Sequence, residues 1–264
     1  MINLEKVSGL PIELKDDFYI KFNPPLQERT PTFERKFTEV LPVLMDPNVK
    51  QEHEVMYLGY RGLYLPLDEV KVKKNHLTYD LTIIPPYRIG KEFNKTVGHY
   101  HDLKPRTKIA HPELYEILQG KVLVILQKMD PEFKKVTKVI TAELSAGDKI
   151  IYPANYGHIL VNIGTDPVVT ANWLCVDYKP LYKQVSDKQG MAYYVVAEEG
   201  GYKLIANSMY GKVPVPRSYR AENMEVFKLN LHKPMYVSAM EDIKSLDFLS
   251  NPEKYPVELS AVSS

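Results

Sequence analysis

The amino-acid sequence predicts an all-β fold, a sandwich or a barrel, for the middle of the chain, from about residue 57 to residue 177. Apolar and polar residues alternate in residues 76–84, which is the period of a strand with one covered face. Further strand-like segments follow at spacings of roughly 8–12 residues, and turns rich in Gly, Pro, Asp and Asn separate them. Such a series of short strands is typical of a β-sandwich or a barrel.

The first 55 residues are predicted to form an N-terminal arm. Prolines at positions 11, 24, 25, 31, 42 and 47 exclude long regular elements there, because proline cannot donate the backbone hydrogen bonds that such elements need. One short helix is expected at residues 32–44. Since the arm has too few regular elements to bury itself, we expect it to lie across a partner chain.

The predicted strands follow the arm, in a domain that we place at residues 56–185. A half-buried strand is expected at residues 76–84, because the side chains on one face are Leu77, Tyr79, Leu81 and Ile83, and those on the other are Thr78, Asp80 and Thr82. Residues 114–127 are predicted to form two strands around a Gln119-Gly120 turn. The remaining predicted strands are residues 135–143, 149–152, 159–162 and 168–176.

Residues 186–264 are predicted to form a C-terminal extension that contains a helix. Ser238 and Glu241 have the spacing of a capping box, in which two side chains bind free backbone N–H groups at a helix start. Apolar residues then recur at three-residue spacing: Met240, Ile243, Leu246 and Leu249. This stripe is typical of an amphipathic helix, and we expect it to pack on the barrel or on a partner subunit.

Composition and charge exclude several classes of protein. Hydrophobic residues make up 44% of the 264 residues and charged residues 25%, which is close to the globular average and argues against disorder. The net charge of +1 lacks the broad positive charge of a nucleic-acid-binding protein. Apolar runs such as residues 122–126 are too short to span a membrane, and no signal peptide is evident at the start. With one cysteine, Cys175, no intrachain disulfide is possible, and the cytoplasm is the expected compartment.

Two histidines, His99 and His101, lie two positions apart, so that on a strand both would project from the same face. Imidazole is the commonest protein ligand of first-row transition metals. Farther along, Glu113 and His158 lie in or just before predicted strands, and three imidazoles with one carboxylate would give a divalent ion four protein ligands. Three other residues remain candidates near the pair: Glu116 and Asp102, which alternation places on the opposite face, and His111, which follows in a loop.

These segments resemble the two sequence motifs of the cupin superfamily. The first motif is an HxH pair followed by a glutamate, six residues and a glycine, and residues 113–120 match its ending. The second is G-x5-P-x-G-x2-H-x3-N, which is matched in register by Gly147, Pro153, His158 and Asn162, with Asn155 at the middle glycine. Asparagine tolerates the left-handed backbone conformation that a glycine there would adopt. Two departures are an implied inserted loop at residues 103–110 and Phe93 at the position of an expected glycine.

A longer set of motifs is similar to the cupin-type phosphoglucose isomerases, known mainly from archaea and a few bacteria. In chain order the set is Thr96-x-Gly98-His99-x-His101, Glu113-x-Tyr115, Leu118-x-Gly120, Leu126-Gln127 and His158-x-x-Val161-Asn162-Ile163-Gly164. The similarity covers residues 54–182, about half of the chain. It implies a cupin fold, a double-stranded β-helix or jelly-roll barrel, that carries an N-terminal arm and a C-terminal helical extension.

The resemblance also implies a function and a site. The function is the interconversion of glucose 6-phosphate and fructose 6-phosphate with one divalent metal ion per chain, Fe²⁺ first and Mn²⁺, Ni²⁺ or Zn²⁺ as substitutes. The implied metal ligands are His99, His101, Glu113 and His158, and the register to Gly120 selects Glu113 among the carboxylates. The implied catalytic residues are Glu113 and Tyr115, and the implied substrate contacts are Thr82, Thr96, Gly98 and Tyr182. The expected partners are a sugar phosphate and a second copy of the chain in a homodimer, and neither nucleic acid nor a membrane is expected.

The sequence leaves some points open. Tyr57 and Tyr60 are both candidates for an upstream pocket tyrosine, and Leu174 stands where the family has another. Three histidines and a glutamate on a cupin also suit an iron dioxygenase or a manganese decarboxylase. A non-catalytic sugar-binding cupin is the third interpretation.

Overall fold

The structure is a computed structural model that describes residues 1–221, 227 and 230–261. The described strands are β1 (Ile2–Asn3), β2 (Ile12–Leu14), β3 (Ile20–Phe22), β4 (Phe33–Lys36), β5 (Val55–Tyr60), β6 (Leu77–Ile84), β7 (Arg88–Ile89), β8 (Glu92–Phe93), β9 (Tyr100–His101), β10 (Glu113–Gln119), β11 (Lys121–Met129), β12 (Val136–Ser145), β13 (Lys149–Tyr152), β14 (Tyr156–Asn162), β15 (Val168–Cys175), β16 (Pro180–Leu181), β17 (Tyr193–Glu198), β18 (Gly201–Ala206) and β19 (Arg217–Tyr219).

Helices are short and lie mostly outside the sheets. The described α-helices are α1 (Glu5–Ser8), α2 (Phe37–Val40), α3 (Glu69–Lys74), α4 (Lys183–Ser186), α5 (Met235–Glu241), α6 (Asp247–Ser250) and α7 (Pro256–Ala261). Short 3₁₀ turns lie at Leu41–Val43, Pro66–Asp68, Ser208–Tyr210, Ile243–Leu246 and Pro252–Lys254. Over the described ranges, none of the helices has the length and apolar character that crossing a bilayer requires.

Two sheets form a double-stranded β-helix of the cupin type. One sheet has six antiparallel strands in the order β13-β10-β15-β6-β5-β4, and the other has the order β14-β11-β12-β19. The predicted turn between two strands is confirmed: β10 and β11 meet at Gly120, whose φ of +82° suits glycine, and the turn connects one sheet to the other. A smaller sheet, β18-β17-β8-β7, and the pair β16-β9 lie next to these. The predicted all-β fold with an N-terminal segment and C-terminal helices is confirmed.

Both faces of the six-stranded sheet are covered, so the expectation of a half-buried β6 is wrong. The apolar face of β6 joins an outer core with the N-terminal strands and the C-terminal helices, through Leu77, Tyr79, Leu81 and Ile83. The polar face of the same strand points into the barrel, where Thr82 lines a cavity. The alternation therefore assigns the two faces correctly. It does not predict that both faces are buried, because the segments that cover the apolar face lie far away in the sequence.

The N-terminal segment packs on its own chain. Four alternating residues of β2 and β3, Ile12, Leu14, Ile20 and Phe22, are buried in the outer core. The backbone N–H of Ile20 donates to the Tyr60 hydroxyl at 3.0 Å, which ties this small sheet to the barrel. The expectation that the arm lies across a partner because it cannot bury itself is therefore wrong for these residues.

The helix expected at residues 32–44 is only partly formed. Residues 33–36 form the edge strand β4 instead, in which the ring of Phe33 lies over Gly59 of the neighbouring strand β5. A Cβ on Gly59 would lie 2.4 Å from Phe33 Cζ, so glycine is required for this packing. The helix α2 begins only at Phe37, after Glu39 accepts a hydrogen bond from the Lys36 N–H. A partner strand thus outcompetes the local helical tendency.

The C-terminal helix α5 begins at Met235, three residues before the proposed capping box, so that prediction is wrong. Ser238 lies inside the helix and its hydroxyl donates to the Pro234 carbonyl at 3.2 Å. The N–H of Met235 is instead bound by the Glu116 carboxylate of β10 at 2.9 Å, a cap supplied by a distant strand. The apolar stripe does pack on the barrel: Leu246 and Leu249 are buried in the outer core, and Met240 and Ile243 pack against it.

Candidate metal centre and substrate cavity

Four side chains converge at one end of the barrel interior. His101 lies in β9, and His99 pairs through its backbone with His158 of β14, with N–H···O distances of 3.2 and 3.0 Å. Glu113 is the first residue of β10. One ligand atom from each of the four lies within 4.8 Å of the others, and three of the residues are buried. The structure therefore brings together the four residues that the motifs single out.

The ligand atoms of this cluster lack the partners that buried polar atoms normally have. Among the residues that the structure describes, no hydrogen bond reaches the Nε2 atoms of His99, His101 and His158 or Oε2 of Glu113. The nearest approaches, from His101 Nε2 and His158 Nε2 to the Glu113 carboxylate, are 3.4 Å each. Buried polar groups are rarely left unpaired because each costs free energy. The donor set of three nitrogens and one oxygen therefore fits a divalent metal ion.

A hydrogen bond on the side of the ring away from the cluster fixes the orientation of His101. Its Nδ1 lies 2.7 Å from the carbonyl oxygen of His111, and a carbonyl only accepts, so Nδ1 carries the proton and Nε2 presents its lone pair to the cluster. His111 is itself held, because its Nδ1 lies 2.8 Å from the Leu249 carbonyl of α6. The C-terminal helices thus support the cluster through two hydrogen bonds.

The charge state of the cluster suits a cation. Burial opposes the charged form of Glu113, but the neighbouring His101 and His158 outweigh it and lower the pKa of the carboxyl to about 2. Burial lowers the pKa of His158 to about 4, and burial together with the other imidazoles holds the pKa of His99 well below its usual value. Near neutral pH the cluster therefore offers a carboxylate and imidazoles with free lone pairs, the forms that bind metals.

A cavity opens next to the cluster. It is lined by Phe33, Tyr57, Arg61, Thr82, Thr96, Gly98, His99, Tyr115, His158, Leu160 and Tyr182. Hydroxyl groups, one guanidinium and two of the clustered imidazoles therefore face one space. Such a lining suits a small polar anion whose other end approaches the clustered histidines.

The sequence matches the family model described as glucose-6-phosphate isomerase over residues 34–210, two thirds of the chain, and this span includes the cluster and the cavity. The chain belongs to the glucose-6-phosphate isomerase family. Among curated relatives, the glucose-6-phosphate isomerase of Pyrococcus furiosus is 27% identical over 164 residues, which cover 62% of this chain and 77% of that protein. That of Sinorhizobium medicae is 27% identical over 141 residues, 53% of this chain and 61% of that protein.

Similarity to solved structures is lower. The vicilin of Corylus avellana is 11% identical with a TM-score of 0.35, and it covers 52% of this chain and 34% of its own. The oxalate decarboxylase of Lactobacillus farciminis is 17% identical with a TM-score of 0.33, and it covers 48% of this chain and 30% of its own. The predicted glucose-6-phosphate isomerase membership is confirmed by the family match alone.

The other predicted contact residues of this glucose-6-phosphate isomerase family member all line the cavity. They are Thr82, Thr96, Gly98, Tyr115 and Tyr182. Thr96 Oγ1 accepts a hydrogen bond from the Leu160 N–H at 3.1 Å, which leaves its own O–H free to donate to a ligand. Gly98 has a φ of +78°, and a Cβ there would lie 3.1 Å from the His158 carbonyl, so the backbone passes close to the cluster. Tyr182 lies with its ring centroid 5.1 Å from that of His99.

The alternative carboxylates and one of the two candidate tyrosines lie away from the cavity. Glu116 faces the outer core and pairs with Lys149 at 2.7 Å, and Asp102 accepts a hydrogen bond from the Lys179 N–H. Of the two upstream tyrosines, Tyr57 lines the cavity and Tyr60 lies in the outer core. His111 contributes only its carbonyl, behind His101. The Glu116 and Asp102 carboxylates and the His111 ring therefore lie outside the four-residue cluster.

Asn155 has the backbone conformation expected at the middle glycine of the second motif. Its φ is +66°, in the left-handed region. Its side chain also binds the inserted loop: Oδ1 accepts from the Ala110 N–H at 2.8 Å and Nδ2 donates to the Lys108 carbonyl at 3.1 Å. A glycine could not make these bonds, so asparagine here stabilises the insertion at residues 103–110.

Sequence reasoning missed four residues near the site. Arg61 lines the cavity and pairs with the buried Asp80, and Arg35 lies 4.9 Å from the ring centroid of Tyr182. Tyr178 lies with its ring centroid 4.5 Å from that of His101, and Tyr152 stacks on Tyr115 with centroids 4.4 Å apart. Of the four, only Arg61 had a detectable signal, since it directly follows β5 and continues the alternation of Tyr57 and Gly59.

Proposed function

We propose that this chain interconverts glucose 6-phosphate and fructose 6-phosphate, with a divalent ion held by His99, His101, Glu113 and His158. The observation that supports this most directly is that the family match and the buried cluster fall on the same residues. The span that matches the isomerase family contains a buried three-histidine, one-glutamate cluster whose ligand atoms lack protein partners within the described residues. The ion we propose is Fe²⁺, and Mn²⁺, Ni²⁺ or Zn²⁺ would substitute because mixed nitrogen and oxygen ligands discriminate weakly among them.

When bound, such an ion supplies Lewis-acid stabilisation to the oxygens of the reacting carbons. The protein must then hold the sugar with C1 and C2 near Glu113, and we assign that task to the phosphate contacts. Thr82, Thr96 and the Gly98 N–H line the cavity and are able to donate hydrogen bonds to a phosphate. Arg61 adds a positive charge to the same lining. Binding energy from the phosphate thereby orients the reacting carbons.

We assign the proton transfer to Glu113. Its low pKa keeps it ionised, so it would take the proton from C2 of the open-chain aldose and return a proton to C1, while another proton moves from O2 to O1. Burial raises the pKa of Tyr115 well above its usual value, so its hydroxyl stays protonated and is able to donate a hydrogen bond to the sugar chain. A direct hydride shift from C2 to C1 is the competing mechanism, and it would leave Glu113 as a ligand only.

The proposal is tested by a coupled assay of fructose 6-phosphate conversion to glucose 6-phosphate on metal-reconstituted protein. We expect turnover, its loss on chelation and its return on adding Fe²⁺. Fructose without phosphate should be turned over poorly, because the contacts at Thr82, Thr96 and Gly98 are then unused. Wild-type protein that neither turns over fructose 6-phosphate nor gains thermal stability from 6-phosphogluconate would contradict the proposal.

We also propose that the protein is a homodimer that works in the cytoplasm. Leu67, just before α3, and Val70, within it, are 97% and 77% exposed. Among the described strands, β4 lies at one edge of the six-stranded sheet, so a second copy would have apolar surface and a strand edge to cover. The free Cys175 is buried, which suits a reducing compartment. Sedimentation equilibrium at micromolar concentration should give about twice 30.4 kDa, and a mass of 30.4 kDa would contradict the dimer.

A further inference from the structure

Two polar side chains on the inner face of β15 have no partner in the described part of the chain. They are Thr170 and Asn172, both fully buried. Neither the Thr170 hydroxyl nor the amide oxygen and nitrogen of Asn172 makes a hydrogen bond to any described residue. Their neighbours Val169, Ala171 and Trp173 point the other way, into the outer core.

Asn172 is an exception among the buried asparagines. The other three described ones are all bonded: Asn94 donates to the Met56 and Pro85 carbonyls, Asn162 to the Ile84 and Asp166 carbonyls, and Asn207 to the Lys188 and Met191 carbonyls. Burying an amide without partners costs stability. A fully buried amide that the fold leaves unbonded therefore points to a partner that binds there.

The register of the sheet places Asn172 beside the substrate cavity. Its Cα partner on β10 is Tyr115, and its Cα partner on β6 is Asp80, which holds the Arg61 side chain. Tyr115 and Arg61 both line the cavity, on either side of Asn172. Thr170 lies opposite Thr82 in the same way, and Thr82 also lines the cavity. Asn172 is itself fully buried, and it lies directly behind the cavity lining, between the strands that carry Tyr115 and Asp80.

We propose that Asn172 binds a hydroxyl group of the sugar chain and so sets which sugar phosphates the site accepts. An amide offers an acceptor and two donors, which match a hydroxyl that both donates and accepts. A phosphate group only accepts, so the carbonyl oxygen of Asn172 would stay unpaired against it. This inference rests on the proposed function, because it assumes that a sugar phosphate occupies the cavity.

The test replaces the amide by an apolar side chain of similar size, in Asn172→Leu. The kcat/KM for fructose 6-phosphate should fall about tenfold to hundredfold, mainly through KM, because a buried hydroxyl would then face an apolar surface. The same comparison is made with analogues that lack the hydroxyl at C3, C4 or C5. For the analogue that lacks the contacted hydroxyl, the penalty should shrink to less than about threefold, since the interaction is already absent.

Two measurements separate binding from a structural role. Because Asn172 has no described partner to lose, the ligand-free variant should unfold at the same temperature as the wild type or higher. The matched control is Tyr79→Phe, which deletes a buried hydroxyl that also has no described partner but lies in the outer core. That variant should leave KM and analogue discrimination unchanged.

The outcomes distinguish this inference from the proposed function. If the wild type is active and Asn172→Leu behaves like Tyr79→Phe, or loses the same factor with every analogue, the contact is refuted and the isomerase proposal stands. If the wild type is neither active nor stabilised by 6-phosphogluconate, both fail. If 6-phosphogluconate stabilises an inactive wild type and Asn172→Leu removes that effect, the binding role stands and the isomerase proposal fails.

Discussion

Two glutamates three positions apart on β10 should respond to the same substitution in opposite ways. Glu113 points into the barrel toward the histidines, and Glu116 points outward, where it pairs with Lys149 at 2.7 Å and accepts a hydrogen bond from the Met235 N–H. We therefore compare Glu113→Gln with Glu116→Gln. The substitutions are chemically identical, so differences between them report only on position.

The cost at Glu116 follows from the partner that it leaves behind. Lys149 is only 2% exposed, and without the carboxylate its ammonium retains the Gly147 and Leu231 carbonyls at 3.2 and 3.3 Å. Removing one member of a buried ion pair costs about 3–5 kcal/mol, and glutamine keeps an oxygen for the Met235 N–H, so we expect a loss of about 3 kcal/mol in the free energy of unfolding. The kcat/KM should stay within about twofold of the wild type, because this pair does not face the cavity.

At Glu113 we expect a large loss of activity and a smaller loss of stability. Loss of the proposed proton carrier should lower kcat by about two to four powers of ten. With chelator present, Glu113→Gln should lose less stability than Glu116→Gln, because Oε2 of Glu113 has no hydrogen-bond partner among the described residues. Wild-type turnover in deuterated water should place deuterium at C1 or C2, because a proton resting on Glu113 is able to exchange with solvent.

The free energy of unfolding is measured by urea titration followed by fluorescence. This signal is suitable because the single tryptophan, Trp173, lies in the outer core near Tyr79 and Tyr236. The control is Glu116→Leu combined with Lys149→Met, which removes both charges and should recover most of the stability that Glu116→Gln loses. Activity that survives in metal-loaded Glu113→Gln, with no deuterium in the product, would refute the proton transfer. Activity lost in Glu116→Gln without loss of stability would refute the division of roles between the two faces.

Three further changes have specific expected outcomes. Protein purified without chelator should contain about one divalent ion per chain by elemental analysis, and His158→Ala should lose most of it; full occupancy in that variant would contradict the ligand assignment. Thr96→Val should weaken inhibition by 6-phosphogluconate about tenfold, whereas Thr96→Ser keeps the hydroxyl and should not; equal inhibition constants would mean that the phosphate binds elsewhere. Asn155→Ala should lower the free energy of unfolding by about 2 kcal/mol in urea titrations, because it removes two bonds to the inserted loop and strains a left-handed backbone. Asn155→Gly should lose only about half of that, and an undiminished stability in both would show that the loop does not depend on Asn155.

The barrel strands and the metal cluster were predictable because their signals are local. A period of two identifies β6, and the Gln119-Gly120 turn between β10 and β11 is confirmed by the positive φ of its glycine. The cluster residues lie in two short motifs, the first of which is interrupted by the inserted loop at residues 103–110. Local patterns also predicted that Thr82 and Thr78 share a face, although they did not show that this face points into the barrel.

The errors arose where distant parts of the chain decide the outcome. The start of α5 depends on Glu116, which is 119 residues away and caps Met235. The strand β4 replaces half of an expected helix because β5 offers it a partner. Arg35 approaches Tyr182 only after the sheet has formed, so neither residue carries a local sign of the other. Capping boxes and helical periods describe only neighbours in sequence, so they do not predict contacts between residues that are distant in sequence.

The outer face of the six-stranded sheet is largely apolar, which explains why the N-terminal and C-terminal segments pack against it. A row of paired residues crosses the inner face, from Tyr115 through Asn172 and Asp80 to Arg61, and burying these polar groups contributes little stability. The outer face of the same strands carries large apolar residues such as Trp173, which must be covered. The N-terminal strands and the C-terminal helices supply that cover. Apolar side chains are buried on both faces of this sheet, with Ile84, Ile117 and Val168 inside and Trp173 outside. The polar row beside the cavity is therefore only one part of the inner face, and it is the part that a ligand, and not the fold, has to satisfy.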